Sequence, residues 1–288
     1  MKIAWIGTGI MGKNMLQRLA NANHLLHIYN RTLSKMDQLN HINIKKFNSI
    51  KEAIAGVDLI MTMVGYPQDV LDVYCDKEKG ILEFANSHQI CIDFTTSSPQ
   101  IAKQIAYNDK NIAVLDAPVT GGDIGAQNGT LSILVGGNFA TFEKVKPILE
   151  VLGNKINYFG QAGSGQHAKM FNQILVGINT YNIAEALNHC IKNEVNLEGA
   201  LSIFKKSIGN SWQLENNGPK MIDNNLMPGF LIKHLIKDLN LVKENQKTYL
   251  YAINEVLKVY QEFANENQSV NNLGTQAIFE YIKLKREQ

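Results

Sequence analysis

Apolar runs and amphipathic stretches alternate along the chain up to Gly160. The apolar runs are short and nearly free of polar residues, as is typical of strands buried on both faces of a sheet. They predict strands at residues 2–6, 25–29, 58–64, 90–94, 112–115, 131–135 and 155–159. The amphipathic stretches predict helices at residues 11–22, 33–40, from 49 onward, and 139–152. Ser49 is expected to cap its helix, with Glu52 three residues later. This alternation predicts a parallel sheet covered by helices on both sides.

Beyond Gly160 the apolar spacing becomes helical, and no strand is predicted. A long helix is expected at residues 165–191, where apolar residues recur at the intervals of one helical face. The residues of that predicted face are Ala168, Phe171, Leu175, Ile178 and Ala186. Breaks in the later helical pattern fall at residues 209–211, 217–219 and 228–229. We therefore predict an α/β domain at residues 1–162 and an all-α domain at residues 163–288, joined by the long helix.

Charge and cysteine content exclude several classes of protein. The 28 basic and 26 acidic side chains nearly cancel, so neither a nucleic-acid surface nor a membrane-binding face is indicated. Three widely spaced cysteines, Cys75, Cys91 and Cys190, provide neither a disulfide framework nor a zinc-binding spacing. No apolar stretch reaches the roughly 18 residues of a membrane-spanning helix. We expect a cytoplasmic protein whose partner is a small molecule, with no bound metal, nucleic acid or membrane.

A glycine-rich motif, GTGIMG, lies between the first predicted strand and the first predicted helix. In that context the glycines permit a tight turn and a close approach to a pyrophosphate, which the helix N-terminus attracts. A glycine-rich turn without a ligand is the alternative. The predicted cofactor-binding residues of this turn are Gly7, Thr8, Gly9, Ile10, Met11 and Gly12. The motif makes the first domain a Rossmann-type dinucleotide-binding domain.

The end of the second predicted strand bears on the choice between NAD and NADP. NAD-preferring sites usually carry an acidic residue there, about 20 residues after the glycines, to bind the ribose 2′-hydroxyl. This chain has Asn30, Arg31 and Thr32 instead. A guanidinium group forms charge-assisted hydrogen bonds with phosphate, so these residues favour the 2′-phosphate of NADPH. NAD stays possible, because Arg31 could also be a solvated loop residue.

Two further segments carry candidate chemistry. After the strand at residues 112–115, Thr120, Gly121 and Gly122 offer a hydroxyl and adjacent backbone N–H groups, which can bind a small carboxylate. A plain loop is the alternative. Lys169 and Asn172 lie three residues apart at the start of the long helix and share one of its faces. A lysine ammonium can supply the proton that reduction of a carbonyl requires, whereas an isolated helical lysine is usually a surface residue.

Four motifs in order make the sequence similar to the β-hydroxyacid dehydrogenase family, which includes 3-hydroxyisobutyrate dehydrogenases, tartronate semialdehyde reductases and glyoxylate/succinic semialdehyde reductases. They are GTGIMG at residues 7–12, DAPVTGG at 116–122, GSGQHAKMFNQ at 163–173 and KDL at 237–239. The resemblance spans essentially the whole chain. It implies a Rossmann-type domain, an all-α domain like the C-terminal domain of 6-phosphogluconate dehydrogenase, and a homodimer or homotetramer.

The resemblance also implies roles for single residues. Lys169 matches the catalytic lysine, and Asn172 matches a substrate-contacting amide. Thr120, Gly121 and Gly122 match the substrate-binding segment, in which many members have serine at the position of Thr120. The positions that match cofactor-lining residues are Met63, Val64, Thr96 and Lys237. Phe230 lies seven residues before Lys237, or about two helical turns, so we place it beside the substrate.

These features predict an NADPH-dependent reductase of a small carboxylate-bearing aldehyde or keto acid. The segment Asn30–Thr32 resembles the NADPH-using members, which points to glyoxylate or succinic semialdehyde. A 3-hydroxyisobutyrate or tartronate semialdehyde dehydrogenase that uses NAD or NADP is the alternative. An imine reductase would carry a different residue at Lys169, and a non-catalytic dinucleotide-binding protein would lack the set of Lys169, Thr120 and Asn172. Trp212 could line a pocket or belong to the core.

Overall fold

The computed structural model describes residues 1–285 and divides into two compact units, Met1–Lys169 and Met170–Gln288. The first unit is a sheet with helices and the second is helical, as the sequence predicts. The exact domain limits given above, 1–162 and 163–288, stay a prediction. Within the described residues, no helix combines the length and the apolar composition that crossing a bilayer requires.

One nine-stranded sheet forms the centre of the first unit. Its strands are β1 (Lys2–Ile6), β2 (Leu25–Tyr29), β3 (Ile44–Lys46), β4 (Leu59–Thr62), β5 (Ile90–Asp93), β6 (Ala113–Asp116), β7 (Val119–Thr120), β8 (Leu131–Gly136) and β9 (Gly153–Gly160). The order is β3-β2-β1-β4-β5-β6-β8-β7, and β9 pairs with β8. The first six strands are parallel in the order of a dinucleotide-binding sheet, 3-2-1-4-5-6.

Both faces of this sheet are buried, because helices cover each side. Successive residues of a strand point to opposite faces, so Ile3 and Trp5 lie in one apolar cluster and Ala4 and Ile6 in another. The helices of this unit are α1 (Ile10–Asn21), α2 (Ile50–Ile54), α3 (Pro67–Cys75), α4 (Ile81–Phe84), α5 (Pro99–Ala106), α6 (Gly122–Asn128) and α7 (Phe139–Leu149). The Ser49 hydroxyl caps α2 by accepting from the backbone N–H of Glu52 at 3.2 Å, as predicted.

Several predicted bounds differ from the structure. The expected helix at residues 33–40 is a short 3₁₀ turn, Leu33–Met36. The expected strand at residues 58–64 ends at Thr62, because Met63 and Val64 already belong to the following loop. Strand β8 extends the sheet as expected, but it runs antiparallel to β6 and β7. The short elements α3 to α6, β3 and β7 carry too few residues for a clear periodic signal.

The second unit consists of helices around a single apolar core. Helix α8 (Ser164–Lys192) begins in the first unit and continues into the second. The later helices are α9 (Leu197–Phe204), α10 (Trp212–Ile222), α11 (Ile232–Asn245), α12 (Tyr251–Glu266) and α13 (Ile278–Lys285), with 3₁₀ turns at Gln268–Asn272 and Thr275–Ala277. Among the described residues of this unit, β pairing is limited to an isolated bridge between Leu231 and Gly274.

The predicted buried face of α8 was wrong. Phe171 and Leu175 are 65% and 47% exposed, and Ala186 is exposed as well. The buried positions carry polar side chains, among them Gln166 and Gln173, as well as the apolar Met170, Ile183, Ala184 and Leu187. Apolar spacing could not reveal this face, because its polar groups are buried through specific hydrogen bonds.

Candidate functional site

The turn between β1 and α1 has the geometry of a dinucleotide-binding turn. Gly7 has a φ of +99°, and a Cβ there would collide with the carbonyl oxygen of Met63. A Cβ at Gly12 would collide with the carbonyl oxygen of Gly7. At Gly9, by contrast, nothing lies within 4 Å of the Cβ position. The first glycine thus permits the turn, the second leaves an open approach, and the third allows helix and strand to pack closely.

The start of α1 offers hydrogen-bond donors to an anion. Gly9 is the N-cap and provides no side-chain capping bond, so Ile10, Met11 and Gly12 supply the outward-facing N–H groups of the first turn. The hydroxyl of Thr8 is buried and has no hydrogen-bond partner among the described residues. Unpaired donors at a positive helix end, beside an open glycine, fit a phosphate group.

Asn30 connects this turn to the end of β2. Its Oδ1 accepts from the backbone N–H of Thr8 at 2.9 Å, and its Nδ2 donates to the carbonyl oxygen of Thr32 at 2.8 Å. Both polar ends of the amide are therefore used by the protein. The predicted residue Asn30 thus shapes the loop that carries Arg31.

The exposed Arg31 guanidinium forms an ion pair with Asp69 on α3. The Nη1–Oδ1 distance is 2.8 Å, and the Arg31 side chain is 80% exposed. Asp69 also accepts from the backbone N–H of Tyr66 at 3.1 Å and so caps α3. Arg31 keeps further donors for a second anion, because a guanidinium carries five N–H groups. The sequence analysis did not anticipate Asp69, which lies 38 residues away.

The predicted cofactor-lining residues Met63 and Val64 directly follow β4. Both are half-buried, and Val64 donates its backbone N–H to the Thr95 hydroxyl at 3.0 Å. Thr95 belongs to the loop after β5, next to the half-buried Thr96. The structure therefore brings the loops after β4 and β5 together at the carboxyl edge of the sheet, where ligands bind in open α/β sheets.

A buried carboxyl group supports these two loops. Asp93 Oδ1 accepts from the Thr62 hydroxyl at 2.7 Å and from the Thr95 backbone N–H at 3.1 Å. Burial raises the pKa of Asp93 to about 6, although these hydrogen bonds act in the opposite direction. The nearby charge of Asp116 adds a smaller upward contribution to that pKa.

Thr120, Gly121 and Gly122 form the turn between β7 and α6. Thr120 pairs with Ser132 in the sheet. Gly121 and Gly122 have φ values of +132° and +65°, a conformation that side chains other than glycine rarely adopt. No side chain caps α6 at Gly121. Consecutive N–H groups in such a turn form a concavity suited to an anion.

Asp116 anchors the first turn of α8 to the sheet. Its two carboxylate oxygens accept from the backbone N–H groups of Gly163 at 2.8 Å and Gln166 at 2.9 Å. A Cβ at Gly165 would collide with the carbonyl oxygen of Leu134, so the helix start packs directly against β8. Burial raises the pKa of the Asp116 carboxyl, while the backbone hydrogen bonds lower it. This anchor places the beginning of α8 at a fixed position on the sheet.

Lys169 follows one turn after this anchor. The residue is 6% exposed, which is unusual for lysine and rules out the surface position that an isolated helical lysine usually takes. Lys169 has an interaction partner in the structure, in keeping with the rule that buried charged groups are paired. The predicted proton donor is therefore an internal charge on a rigid element.

Asn172 and Lys237 belong to a chain of polar contacts in the second unit. Asn172 Nδ2 donates to Gln173 Oε1 at 2.7 Å, and Gln173 Nε2 donates to Asp238 Oδ2 at 2.6 Å. Lys237 Nζ lies 2.9 Å from the other carboxylate oxygen of Asp238. Two residues that the sequence assigns to substrate and cofactor are thus linked through Gln173 and the buried Asp238.

Phe230 and Trp212 occupy different environments in the second unit. Phe230 is half-buried, and its ring stacks near His234 with a centroid distance of 6.5 Å. Trp212 is 66% exposed as the first residue of α10, so the core position considered for it is wrong. Leu214, two residues further along α10, is buried in the core.

Four residues that contact the candidate site or the loops around it were not predicted from the sequence. They are Asp93, Asp116, Gln166 and Asp238. All four are buried polar residues. A signal was present, because Asp93 and Asp116 each end an apolar strand and an acidic residue there is rarely buried without a partner. Among residues 1–285, no group of three or more His, Cys, Asp or Glu side chains could hold a metal ion.

A parallel sheet in this order, with an open glycine turn at the start of α1, defines a dinucleotide-binding domain of the Rossmann type. Residues 2–160 match the NAD-binding domain of 6-phosphogluconate dehydrogenase, and residues 163–281 match the NAD-binding domain of NADP-dependent 3-hydroxyisobutyrate dehydrogenase. The chain belongs to the 3-hydroxyisobutyrate dehydrogenase family of hydroxyacid oxidoreductases.

Individual relatives agree with this assignment. The uncharacterized oxidoreductase YkwC of Bacillus subtilis is 39% identical over 96% of this chain and 97% of its own length. The 2-hydroxy-3-oxopropionate reductase of Escherichia coli is 36% identical over 86% of this chain and 85% of its own. The structure of Mycobacterium tuberculosis 3-hydroxyisobutyrate dehydrogenase with L-serine has a TM-score of 0.88 at 26% identity, covering 98% of this chain and 99% of that one.

The chain is therefore an enzyme that uses a nicotinamide dinucleotide to interconvert a hydroxy group and a carbonyl group. The geometry of the first unit fits that cofactor. Gly9 leaves room for a pyrophosphate, and the buried Thr8 hydroxyl has no hydrogen-bond partner among the described residues.

Proposed function

We propose that the enzyme uses NADPH to reduce a small carboxylate-bearing aldehyde or keto acid, of the glyoxylate or succinic semialdehyde type, to the hydroxy acid. The observation that carries this proposal is the burial of Lys169, 6% exposed, one turn after a helix start that Asp116 anchors to the dinucleotide-binding sheet. An internal ammonium group at a fixed position is what proton delivery to a carbonyl oxygen requires.

Lys169 acts as the proton donor in this proposal. The reduced nicotinamide supplies a hydride to the carbonyl carbon. The Lys169 ammonium donates a hydrogen bond to the carbonyl oxygen, stabilises the negative charge that develops there, and transfers one proton to it. The bond between Lys169 Nζ and that proton breaks as the hydroxyl O–H bond forms.

The substrate carboxylate binds at the turn of Thr120, Gly121 and Gly122. The positive φ values of both glycines and the uncapped start of α6 support an anion site there. The Thr120 hydroxyl adds a donor. Asn172 retains the substrate-contacting role that the resemblance implies. Phe230 precedes α11, so the helical spacing to Lys237 from which its place beside the substrate was predicted does not apply.

The N–H groups of residues 10–12, beside the open position at Gly9, would hold the pyrophosphate of the cofactor. Arg31 and Thr32 would hold the 2′-phosphate, and Asn30 holds their loop through its bond to Thr8. The absence of an acidic residue at Asn30–Thr32 supports NADPH over NADH. Met63 and Val64 line the cofactor, and Thr96 lies near the nicotinamide ribose. The resemblance also assigns Lys237 to cofactor binding.

Oxidation of 3-hydroxyisobutyrate, or conversion of tartronate semialdehyde, with either cofactor fits equally well. The Escherichia coli relative is named as a reductase of 2-hydroxy-3-oxopropionate, and the Mycobacterium tuberculosis structure is named as a 3-hydroxyisobutyrate dehydrogenase. All of these substrates are small carboxylates, so the carboxylate site does not separate them.

Initial rates separate these functions directly. Glyoxylate, succinic semialdehyde and tartronate semialdehyde are supplied with NADPH or NADH, and 3-hydroxyisobutyrate with NADP⁺ or NAD⁺. The proposal predicts the highest kcat/KM for glyoxylate or succinic semialdehyde with NADPH. A higher kcat/KM for 3-hydroxyisobutyrate or tartronate semialdehyde would support the alternative function, a dehydrogenase of that substrate. Turnover of none of them, with dinucleotide still bound, would favour a non-catalytic binding role.

A further inference from the structure

The Gln166 side chain connects helix α8 to the loop that contains Thr96. Gln166 is fully buried, at 0% exposure. Its Oε1 accepts from the backbone N–H of Ser97 at 2.9 Å, and its Nε2 donates to the carbonyl oxygen of Thr95 at 2.8 Å. The two bonds therefore hold the residues immediately before and after Thr96.

The backbone of Gln166 is itself held in place. Its N–H donates to Asp116 Oδ2 at 2.9 Å, while Gly163 donates to Asp116 Oδ1 at 2.8 Å. Gly165 lies so close to the backbone of Leu134 that a Cβ there would collide with the Leu134 carbonyl oxygen. Movement of the Gln166 side chain is thus restricted at both ends, by Asp116 on the sheet and by the Thr95–Ser97 loop.

Lys169 lies three residues after Gln166 on the same helix. Three residues advance a helix by about 4.5 Å and return it to nearly the same face. Both residues are buried, with 0% and 6% exposure. A change in the position of the Gln166 amide therefore changes the relation between Lys169 and the loop carrying Thr96.

We infer that Gln166 is a positioning residue that fixes Thr96 relative to Lys169. This inference rests on the proposed function, in which Thr96 lines the nicotinamide end of the cofactor site and Lys169 supplies the proton. Hydride and proton reach adjacent atoms of one carbonyl group, so their donors must keep a constant separation. A glutamine suits this task because one amide provides both the acceptor for Ser97 and the donor for Thr95.

Replacement of Gln166 by methionine tests the inference. Methionine has a similar length but provides neither hydrogen bond. We expect kcat to fall by about 10- to 100-fold, because a displacement of about 1 Å is enough for such a loss. The aldehyde KM should change much less, since the carboxylate turn at Thr120–Gly122 is untouched. If the methionine variant does not fold, Gln166→Asn replaces it. Asparagine is too short to reach both the Thr95 carbonyl oxygen and the Ser97 N–H, so the same changes in kcat and KM are expected.

Gln89 provides a matched control in the same unit. It is also buried, accepts from Asn86 and donates to the carbonyl oxygens of Ile54 and Val57, at 2.8 to 3.1 Å. Gln89→Met should lose comparable stability in urea unfolding while keeping the wild-type kcat. A purely structural role for Gln166 predicts instead that both variants lose activity only in proportion to their unfolded fraction.

Hydrogen exchange of the protein without cofactor gives a readout that is independent of turnover. The backbone N–H of Ser97 donates to Gln166, so its hydrogen should exchange faster in Gln166→Met than in the wild type. In Gln89→Met its exchange rate should be unchanged. Wild-type kcat in folded Gln166→Met, or an unchanged Ser97 amide, overturns the inference while leaving the proposed function intact. The proposed function fails by a different result: the wild-type enzyme would then turn over none of the aldehydes.

Discussion

Gly9 differs from Gly7 and Gly12 in what a side chain at its position would meet. Cβ atoms at Gly7 and Gly12 would collide with backbone carbonyl oxygens, whereas nothing lies within 4 Å of the Cβ position at Gly9. Its φ of −64° is also accessible to any residue. Gly7 and Gly12 are therefore required by the fold, and we predict that Gly9 is required by the ligand.

Gly9→Ala should leave the free energy of unfolding almost unchanged and weaken dinucleotide binding by at least about tenfold, because its methyl group occupies the approach to the pyrophosphate. Urea unfolding and fluorescence titration with NADPH measure the two quantities. Gly209→Ala, at an open position in the second unit, is the control. Unchanged NADPH affinity in Gly9→Ala would remove the pyrophosphate from this turn.

We predict that the choice between NADPH and NADH depends on Arg31. Arg31→Asp should weaken NADPH binding far more than NADH binding, because a carboxylate repels the 2′-phosphate and can accept from a 2′-hydroxyl. The dissociation constants for both dinucleotides provide the measurement. Asp69→Asn, which removes the ion-pair partner of Arg31, should preserve the preference for NADPH. Equal losses for both dinucleotides in Arg31→Asp would exclude Arg31 from the 2′-phosphate site.

The ends of parallel strands were only partly predictable from sequence. The apolar runs located β1, β2, β4, β5 and β6, because strands buried on both faces are nearly uniformly apolar. Asp93 and Asp116 could not be assigned partners, since their donors lie in other segments, such as Gly163, which is 47 residues from Asp116. Long-range pairing of buried polar groups leaves no local pattern in the sequence.

The long-range pairing of buried polar groups also explains why the buried face of α8 was predicted wrongly. The helix itself was predictable from its spacing, but Gln166 and Gln173 occupy its buried side and Phe171 its exposed side. A sequence pattern orients a helix by its apolar face, which succeeds only when polar residues face solvent. In this helix the buried face carries the candidate chemistry, so the usual pattern does not apply.

The carboxyl group at the end of β5 should give the first unit a characteristic pH dependence. The pKa of Asp93, about 6 in the folded protein, lies above its usual value of 3.8. Between about pH 4 and about pH 6 the folded state binds a proton that the unfolded state has lost, so stability falls as pH rises through this window. At neutral pH the full destabilisation is present, about 3 kcal/mol in total for this raised pKa of about 6.

Asp93→Asn removes this dependence while keeping an oxygen that can accept from Thr62 and Thr95. The free energy of unfolding of wild type minus that of Asp93→Asn should therefore decrease as pH rises from about 4 to about 6. Urea unfolding of both proteins at several pH values measures this difference. A difference that stays constant with pH would show that the pKa of Asp93 is not shifted by folding, and a difference that increases with pH would show that folding lowers it.

At the scale of the whole molecule, the family resemblance predicts a homodimer or homotetramer. Light scattering coupled to gel filtration tests this expectation against the chain mass of 32.2 kDa. A mass of two or four chains is expected, and the helical second unit is the predicted contact region. A particle of 32.2 kDa at micromolar concentration would contradict the prediction.

The central claim is that the buried ammonium of Lys169 donates the proton during carbonyl reduction. Lys169→Ala is compared with Lys144→Ala, which removes an exposed lysine from α7. We expect Lys169→Ala to lose at least about 100-fold in kcat with the preferred aldehyde, because general acid catalysis contributes that much, while its NADPH dissociation constant stays close to the wild-type value. Near-wild-type kcat in folded Lys169→Ala would contradict the account.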